Sequence, residues 1–259
     1  MIKTKSLLAK LSRKFPKRLA KKNHDYVGLM AGKLPESVQK IYLCLDFDKT
    51  ILADAINFQP DLIITHHPLV YGTRSRVFKR DAEKKDFVTY LDEINLPVYS
   101  FHTNFDEGVG GMNDALAQKL GLSDIKPLVG DSMARGGKLP HPMPVDDFAL
   151  FATRILNADY GLLIDAGKRD INTVAIIGGG GSRRWDLAKE EGYDIYISGD
   201  APHYVRRDVT TSGYNYLDLP HEIESIFMER MRDILWEIDA SLDIKVVNHE
   251  KQPKVVKTQ

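Results

Sequence analysis

The sequence is poor in cysteine, in net charge and in long apolar runs, and each shortage excludes a class of protein. Cys44 is the single cysteine among 259 residues, so no internal disulfide can form, which fits a reducing cytoplasm. Basic and acidic side chains number 36 each, so the chain as a whole lacks the charge of a polyanion-binding protein. No apolar stretch approaches the roughly 20 residues that span a bilayer. We therefore expect a cytoplasmic protein without a membrane partner, and nucleic acid is not favoured as a ligand.

What is present is the composition of a globular α/β protein. Apolar residues make up 43% of the chain and charged residues 28%. Strand-like runs at 40–47, 61–67 and 98–102 alternate with helix-like stretches at 50–57 and 82–95. Such alternation predicts right-handed crossovers and a mainly parallel sheet with helices on both faces.

The middle of the chain, about 123–145, is rich in glycine and proline and predicts a long connection between two lobes. A second series of strand-like and helix-like segments follows it. We therefore predict two similar α/β lobes with mainly parallel sheets, an N-terminal lobe over 1–122 and a C-terminal lobe over 123–259 that completes a site begun in the first.

The first 24 residues carry nine Lys or Arg and no acidic side chain. This segment is compatible with a targeting peptide, with a membrane-surface helix, or with an amphipathic helix docked on the protein. Four apolar residues fall at helical spacing before Pro16: Leu7, Leu8, Leu11 and Phe15. The pattern favours the docked helix, with its basic face in solvent.

Four clusters of histidine and carboxylate residues lie where loops leave the predicted strands or open the last helix. In an open parallel sheet, ligands gather at the carboxyl ends of the strands. The clusters are His66 with His67; His102, Thr103 and Asp106; Asp200 with His203; and His221, Glu222 and Glu224.

Metal binding gives these clusters a common chemical reason. Imidazole suits zinc, iron, manganese or nickel, and a carboxylate can bridge two ions about 3.5–4 Å apart. At a strand end the rings of His66 and His67 can diverge toward different ions. On this hypothesis Asp106 is the bridge and His221 completes the shell with a nearby glutamate. The alternatives are hydrogen-bonded packing histidines, a turn capped by Asp106, and a helix start whose acids complement the helix dipole.

The glycine run "IIGGGGSRRW" (176–185) has no Walker lysine pattern. Two interpretations stay open at this point. The run is either a tight turn between strand and helix, or an anion site assisted by Arg183 or Arg184.

Six segments match motifs of one known family: "HDYVGLMAG" (24–32), "THHP" (65–68), "HTNFD" (102–106), "ARGGKLPHPMPVDDF" (134–148), "IIGGGGS" (176–182) and "YISGDAPHY" (196–204). Together they resemble the GTP cyclohydrolase 1 type 2 homologues, also called the Ngg-interacting-factor-like proteins. The likeness runs through most of the chain. In the first segment, His24 and Tyr26 replace the tryptophan and asparagine of the family motif, whereas Asp25, Gly28 and Leu29 are kept.

The resemblance implies a two-lobed chain in a toroidal homohexamer with a dinuclear metal centre. Its implied ligands are His66, His67, Asp106, His221 and one glutamate. The family pattern H-x-x-x-E would put that glutamate at position 225, which is serine here. Glu224 or Glu222 must then substitute, or the ligand is lost, and we favour Glu224 because it lies nearest the helical face of His221.

Two bound metal ions favour hydrolysis by a metal-activated water. His102, beside the ligands, is the candidate catalytic residue, either as a general base or as a support for the ligands. The family name suggests GTP, and another nucleotide or phosphoester fits the residues equally. The alternatives are a non-catalytic ring that binds metal or a partner, and a nucleic-acid-binding ring that uses the basic N-terminus.

Overall fold

The computed structural model describes residues 1–256. The strands are β1 (Ile2–Lys3), β2 (Gly28–Ala31), β3 (Ser37–Val38), β4 (Lys40–Cys44), β5 (Leu62–Thr65), β6 (Val98–Ser100), β7 (Ser123–Pro127), β8 (Arg135–Pro144), β9 (Leu162–Asp165), β10 (Asp170–Ile176), β11 (Ile195–Ser198), β12 (Asn215–Asp218) and β13 (Asp243–Val246).

The helices flank these strands in a mixed α/β fold, as the sequence predicted. They are α1 (Thr4–Lys14), α2 (Lys17–Lys22), α3 (Lys49–Phe58), α4 (Arg74–Arg80), α5 (Ala82–Glu93), α6 (Thr103–Glu107), α7 (Met112–Lys119), α8 (Val145–Ile155), α9 (Trp185–Glu190), α10 (His203–Thr211) and α11 (Ile226–Ile238). Short 3₁₀ helices cover Ser182–Arg184 and His221–Ser225.

The chain forms two compact units that do not follow chain order. The first comprises Met1–Gly111 and Phe227–Glu250, and the second comprises Met112–Ile226 with the chain from Lys251 onward. The last helix and strand return to the first unit because β13 pairs in parallel with β4. The sequence predicted lobes at 1–122 and 123–259, and this division into domains stays a prediction. The two compact units of the structure have different bounds.

The first unit is built on a five-stranded sheet in the order β13-β4-β5-β6-β2. Four of these strands run parallel, and β2 pairs antiparallel with β6. The strands β4, β5 and β6 are buried along most of their length, as expected for a parallel sheet covered on its faces. Cys44 is buried at the end of β4. The carboxyl ends of β4, β5 and β6 therefore meet at one edge of this sheet.

The second unit has a six-stranded sheet in the order β7-β8-β10-β11-β12-β9. Only its central strands β10, β11 and β12 are parallel, while β8 and β9 flank them antiparallel and β7 pairs antiparallel with β8. The prediction of a mainly parallel sheet therefore holds for the first unit better than for the second.

The glycine- and proline-rich segment 123–145 is mostly strand, so its prediction as a long connection was wrong. It supplies all of β7 and all of β8. Gly136 is needed because a side chain there would overlap the ring of Tyr193. Pro140 and Pro142 fall where the register of β8 against β10 shifts, so they interrupt no regular ladder. Residues that usually signal a loop here serve close packing and a bulge.

The basic N-terminal segment docks on the first unit, as the helical spacing predicted. Leu7, Leu11 and Phe15 are completely buried, and Leu8 is half-buried. Pro16 stands between α1 and α2, where its fixed backbone ends one helix and precedes the next. Within residues 1–256, no helix is both long enough and apolar enough to cross a membrane.

Asp194 organises the start of β11 in the second unit. One carboxylate oxygen accepts the N–H groups of Asn172 and Thr173 at 3.0 and 2.9 Å, and also the Thr173 hydroxyl. The other oxygen accepts a hydrogen bond from the Lys168 ammonium. Burial alone would raise the pKa of Asp194, but these hydrogen bonds outweigh it and hold the pKa below its usual 3.8.

Replacing Asp194 with alanine should lower the free energy of unfolding by about 2–3 kcal/mol at neutral pH, because two backbone N–H groups lose their acceptor. The native pKa lies below the unfolded one, so this stabilisation is complete above about pH 4 and is lost as the pH falls through the native pKa. Urea unfolding at pH 7 and near pH 3 measures the free energy of unfolding of both proteins. The difference between wild type and variant should be smaller near pH 3. Asp208→Ala, an exposed control, should stay within about 0.5 kcal/mol of wild type. An equal gap at both pH values would contradict the account.

Candidate metal centre

Histidine and carboxylate side chains follow three adjacent parallel strands of the first unit. Asp46 follows β4, His66 and His67 follow β5, and His102 follows β6. The N–H groups of His66 and His67 both donate to the carbonyl of Leu45, at 3.1 and 3.0 Å. Because two consecutive amides share one acceptor, the strand pleat ends here, and the two rings lie 4.9 Å apart between centroids. This explains how neighbouring histidines can serve one site.

Each of the three imidazoles is fixed through its Nδ1 atom. His66 Nδ1 donates to the carbonyl oxygen of Phe101 at 2.9 Å. His67 Nδ1 lies 2.6 Å from Asp46 Oδ2, and His102 Nδ1 lies 2.7 Å from Asp25 Oδ2. A carbonyl or carboxylate oxygen can only accept, so the proton belongs on Nδ1 and the lone pair of the neutral ring is on Nε2. That is the tautomer in which histidine binds a metal through Nε2.

The spacing of these atoms suits a metal ion. One ligand atom from each of His66, His67 and His102 can be chosen so that all three lie within 4.8 Å of one another. Asp106, on α6, places Oδ1 3.5 Å from His66 Nε2. Two ligands on one tetrahedral ion, with bonds of about 2.1 Å, stand about 3.4 Å apart. The donor set of the first unit therefore fits a transition metal.

Asp25 holds the His102 side of this cluster. Its Oδ2 accepts from the His102 ring and from the hydroxyl of Thr103, each at 2.7 Å. Burial would raise the pKa of Asp25, but the hydrogen bond and charge of His102 and the bonds from Thr103 outweigh it and lower the pKa. An ionised Asp25 therefore keeps His102 oriented.

A second donor set lies in the second unit, at the carboxyl ends of β11 and β12. Residues 221–225 form a 3₁₀ helix, in which side chains three apart lie directly above one another. His221 Nε2 is accordingly 3.1 Å from Glu224 Oε2, and His221 Nδ1 is 2.6 Å from Asp200 Oδ2. The hydrogen bond to Glu224, with Asp200, raises the pKa of His221 to about 9. These carboxylates make the position of His221 favourable to a cation.

The glycine run gives the Glu224 carboxylate its space. Gly179 has φ +62°, which favours glycine, and a side chain there would overlap Glu224 Oε1. The N–H of Gly178 donates to Asn113 Oδ1 at 2.7 Å, and Arg184 pairs with Asp131. The structure thus accounts for the run as a tight turn around a buried glutamate.

The remaining sequence candidates have other surroundings. Glu222 is half-buried and lines a surface cavity, and Ser225 ends the 3₁₀ helix. His203 is exposed at the first position of α10. The sequence did not reveal that Asp46 and Asp25 orient His67 and His102. The only signals were that Asp46 lies near the end of a predicted strand, 40–47, and that Asp25 belongs to a matched motif.

Comparison with known proteins places these residues in a family context. The family model described as Duf34/NIF3 (NGG1p interacting factor 3) matches residues 2–253. The chain is 32% identical over 247 residues to the "GTP cyclohydrolase 1 type 2 homolog" of Lactococcus lactis, with 92% of each chain covered. It is 26% identical over 251 residues to the protein of that name from Methanocaldococcus jannaschii, with 95% of this chain and 99% of the relative covered.

Solved structures of related proteins have the same fold as this chain. A Bacillus cereus protein related to NIF3 superposes with a TM-score of 0.85 at 20% identity, covering 98% of this chain and 99% of that one, and so shares the fold. Reduced HcgD from Methanocaldococcus jannaschii superposes with a TM-score of 0.78 at 26% identity, covering 95% and 97%. The family resemblance seen in the sequence is confirmed, and this chain belongs to the Duf34/NIF3 (NGG1p interacting factor 3) family.

Proposed function

We propose that this chain is a hydrolase that depends on two divalent transition-metal ions, zinc, iron, manganese or nickel. Its substrate is a small molecule, either GTP or another nucleotide or phosphoester. The observation that supports the proposal best is the set of three imidazoles whose Nδ1 atoms are all occupied by acceptors. The relatives' name, "GTP cyclohydrolase 1 type 2 homolog", makes GTP the first substrate to test.

The proposed ligands are His66, His67 and Asp106 from the first unit and His221 and Glu224 from the second. Support comes from the family resemblance and from the chemistry of each donor set. In the second unit, the 3₁₀ helix aligns residues three apart, so Glu224 can serve where the family pattern has its glutamate one residue later.

When bound, two such ions supply an activated water and stabilise the negative charge that develops on the attacked group. The chain's own residues hold the ligands and move protons. His102 presents its Nε2 lone pair beside His66 and His67, so it can accept a proton as a general base or serve as a further ligand. Asp25 would stabilise the imidazolium that proton transfer leaves on His102.

We also propose that the chain works in the cytoplasm as the ring-shaped homohexamer that the family resemblance implies. The single Cys44 is compatible with a reducing compartment. Burial raises the pKa of its thiol well above the usual value, so Cys44 is protonated and takes no part in the proposed chemistry.

Protein purified without a histidine tag or chelator should contain about two equivalents of transition metal per chain, as measured by elemental analysis. His67→Ala should retain less than about one equivalent of metal per chain. The variant lacks one proposed ligand, and the two ions share the same cluster, so binding of both should weaken. His203→Ala removes an exposed histidine and should match wild type. Metal-free protein that also takes up no zinc, iron, manganese or nickel would sink the proposal.

Glu224→Gln should lower the turnover of the best nucleotide substrate, with GTP tested first, by about 100-fold or more, because the buried carboxylate becomes a neutral amide. Glu222→Gln makes the same chemical change two residues away and should stay within about threefold of wild type. Steady-state kinetics of the metal-loaded proteins decides the matter. Equal losses in both variants would contradict the assignment of Glu224, and bound metal without turnover of any nucleotide would favour a non-catalytic metal-binding protein.

Asp46→Asn should weaken metal affinity by about 10- to 100-fold, because the amide orients His67 without the charge that strengthens it as a ligand. Competition with a chromophoric chelator measures the affinity. Asp86→Asn, on the exposed face of α5, is the matched control and should change nothing. An unchanged affinity in the Asp46 variant would show that His67 needs no charged partner.

A further inference from the structure

A cavity of about 560 Å³ in the first unit is linked to the histidine cluster through Asp25. Its lining comes from α2 and the loop after it: Lys17, Lys21, His24, Asp25, Tyr26 and Val27. Asp25 is the residue that orients His102 through Oδ2. One wall of the cavity therefore includes the carboxylate that orients His102.

The cavity lining carries two ammonium groups, while its carboxylate, Asp25, accepts hydrogen bonds from His102 and Thr103. Lys17 and Lys21 are four residues apart in α2, which places both on one face of the helix, where like charges repel. Among residues 1–256, neither ammonium has a carboxylate within 4.0 Å, whereas the adjacent Lys22 pairs with Glu107 at 3.0 Å. An anion in the cavity would relieve this repulsion.

The exposed Lys17 side chain places its ammonium against the backbone of Gly28 and an aromatic ring. Its ammonium occupies the space that a side chain would need at Gly28, where φ is +112° and only glycine fits well. The same ammonium lies 5.5 Å from the ring centroid of Tyr99, a cation–π distance. The ammonium therefore lies beside the start of β2 and an aromatic ring, at the cavity.

We propose that this cavity binds the phosphate end of the substrate, so that Lys17 and Lys21 hold the anion while the rest of the molecule reaches the histidine cluster. The inference rests on the proposed function and narrows it to substrates that carry phosphate. Lys17 and Lys21 are binding residues here, because they contact the substrate away from the reacting atoms.

Inorganic pyrophosphate is the probe, titrated into the full chain by calorimetry with a chelator present, so that no metal ion contributes. The double variant Lys17→Gln/Lys21→Gln should bind pyrophosphate at least tenfold more weakly than wild type. Lys5→Gln/Lys10→Gln removes the same charge from exposed positions of α1 and should bind like wild type. Circular dichroism of the variants checks that each is folded.

Wild type that binds no pyrophosphate, or a double variant that binds as tightly as wild type, would overturn the proposal. An equal loss of pyrophosphate affinity in the α1 control would also overturn it, because the loss would then result from the lower net charge of the protein. A single-stranded oligonucleotide that binds through Lys17 and Lys21 more tightly than pyrophosphate, with a steep salt dependence, would assign the lysines to nucleic acid instead.

The His67→Ala variant separates this inference from the proposed function. It should keep wild-type pyrophosphate affinity in chelator, because His67 does not line the cavity. Lysine-dependent pyrophosphate binding without turnover of any nucleotide would support the phosphate site and contradict the hydrolase. Turnover without lysine-dependent binding would support the hydrolase and contradict the phosphate site. In an active enzyme, the double lysine variant should raise KM with little change in kcat.

Discussion

The chemistry of the first unit depends on which nitrogen of each histidine carries the proton. An imidazole offers one donor and one acceptor when neutral, and its partner decides which is which. The Phe101 carbonyl settles the matter for His66, since a carbonyl cannot donate. Carboxylates do the same for His67 and His102. Without these three acceptors the rings could rotate and form hydrogen bonds of their own, and the Nε2 lone pairs would no longer be presented together.

The fold supplies these acceptors because of a simple property of parallel sheets. The strands β4, β5 and β6 end at the same edge, so residues just past their ends become neighbours although they are far apart in sequence. This rule allowed the histidines to be grouped from the sequence alone. It did not identify Asp25, which reaches His102 across 77 positions from a loop before β2, because no local pattern encodes that contact. Asp46 could have been found, since it follows β4 as His66 follows β5.

Glycine and proline were the least reliable guides to local structure. In most sequences they signal turns, and the segment 123–145 carries many of them. Here Gly136 makes room for Tyr193, and the prolines of β8 stand at a shift in strand register. Gly179 likewise makes room for Glu224. A glycine's role is set by what packs against it, and that partner is chosen by the tertiary fold, so composition alone could not separate a close approach from a flexible connection.

Both units place carboxylates beside histidine rings, on sheets of different topology. In the first, a carboxylate holds Nδ1 of His67, and a second carboxylate stands 3.5 Å from Nε2 of His66. In the second, Asp200 holds Nδ1 of His221, and Glu224 stands 3.1 Å from its Nε2. With both nitrogens beside carboxylates and its pKa raised to about 9, His221 donates from both as an imidazolium, and this pairing lowers the cost of burying Glu224. A bound cation would take the place of the Nε2 proton of His221, and its charge would offset that of the carboxylates in each unit.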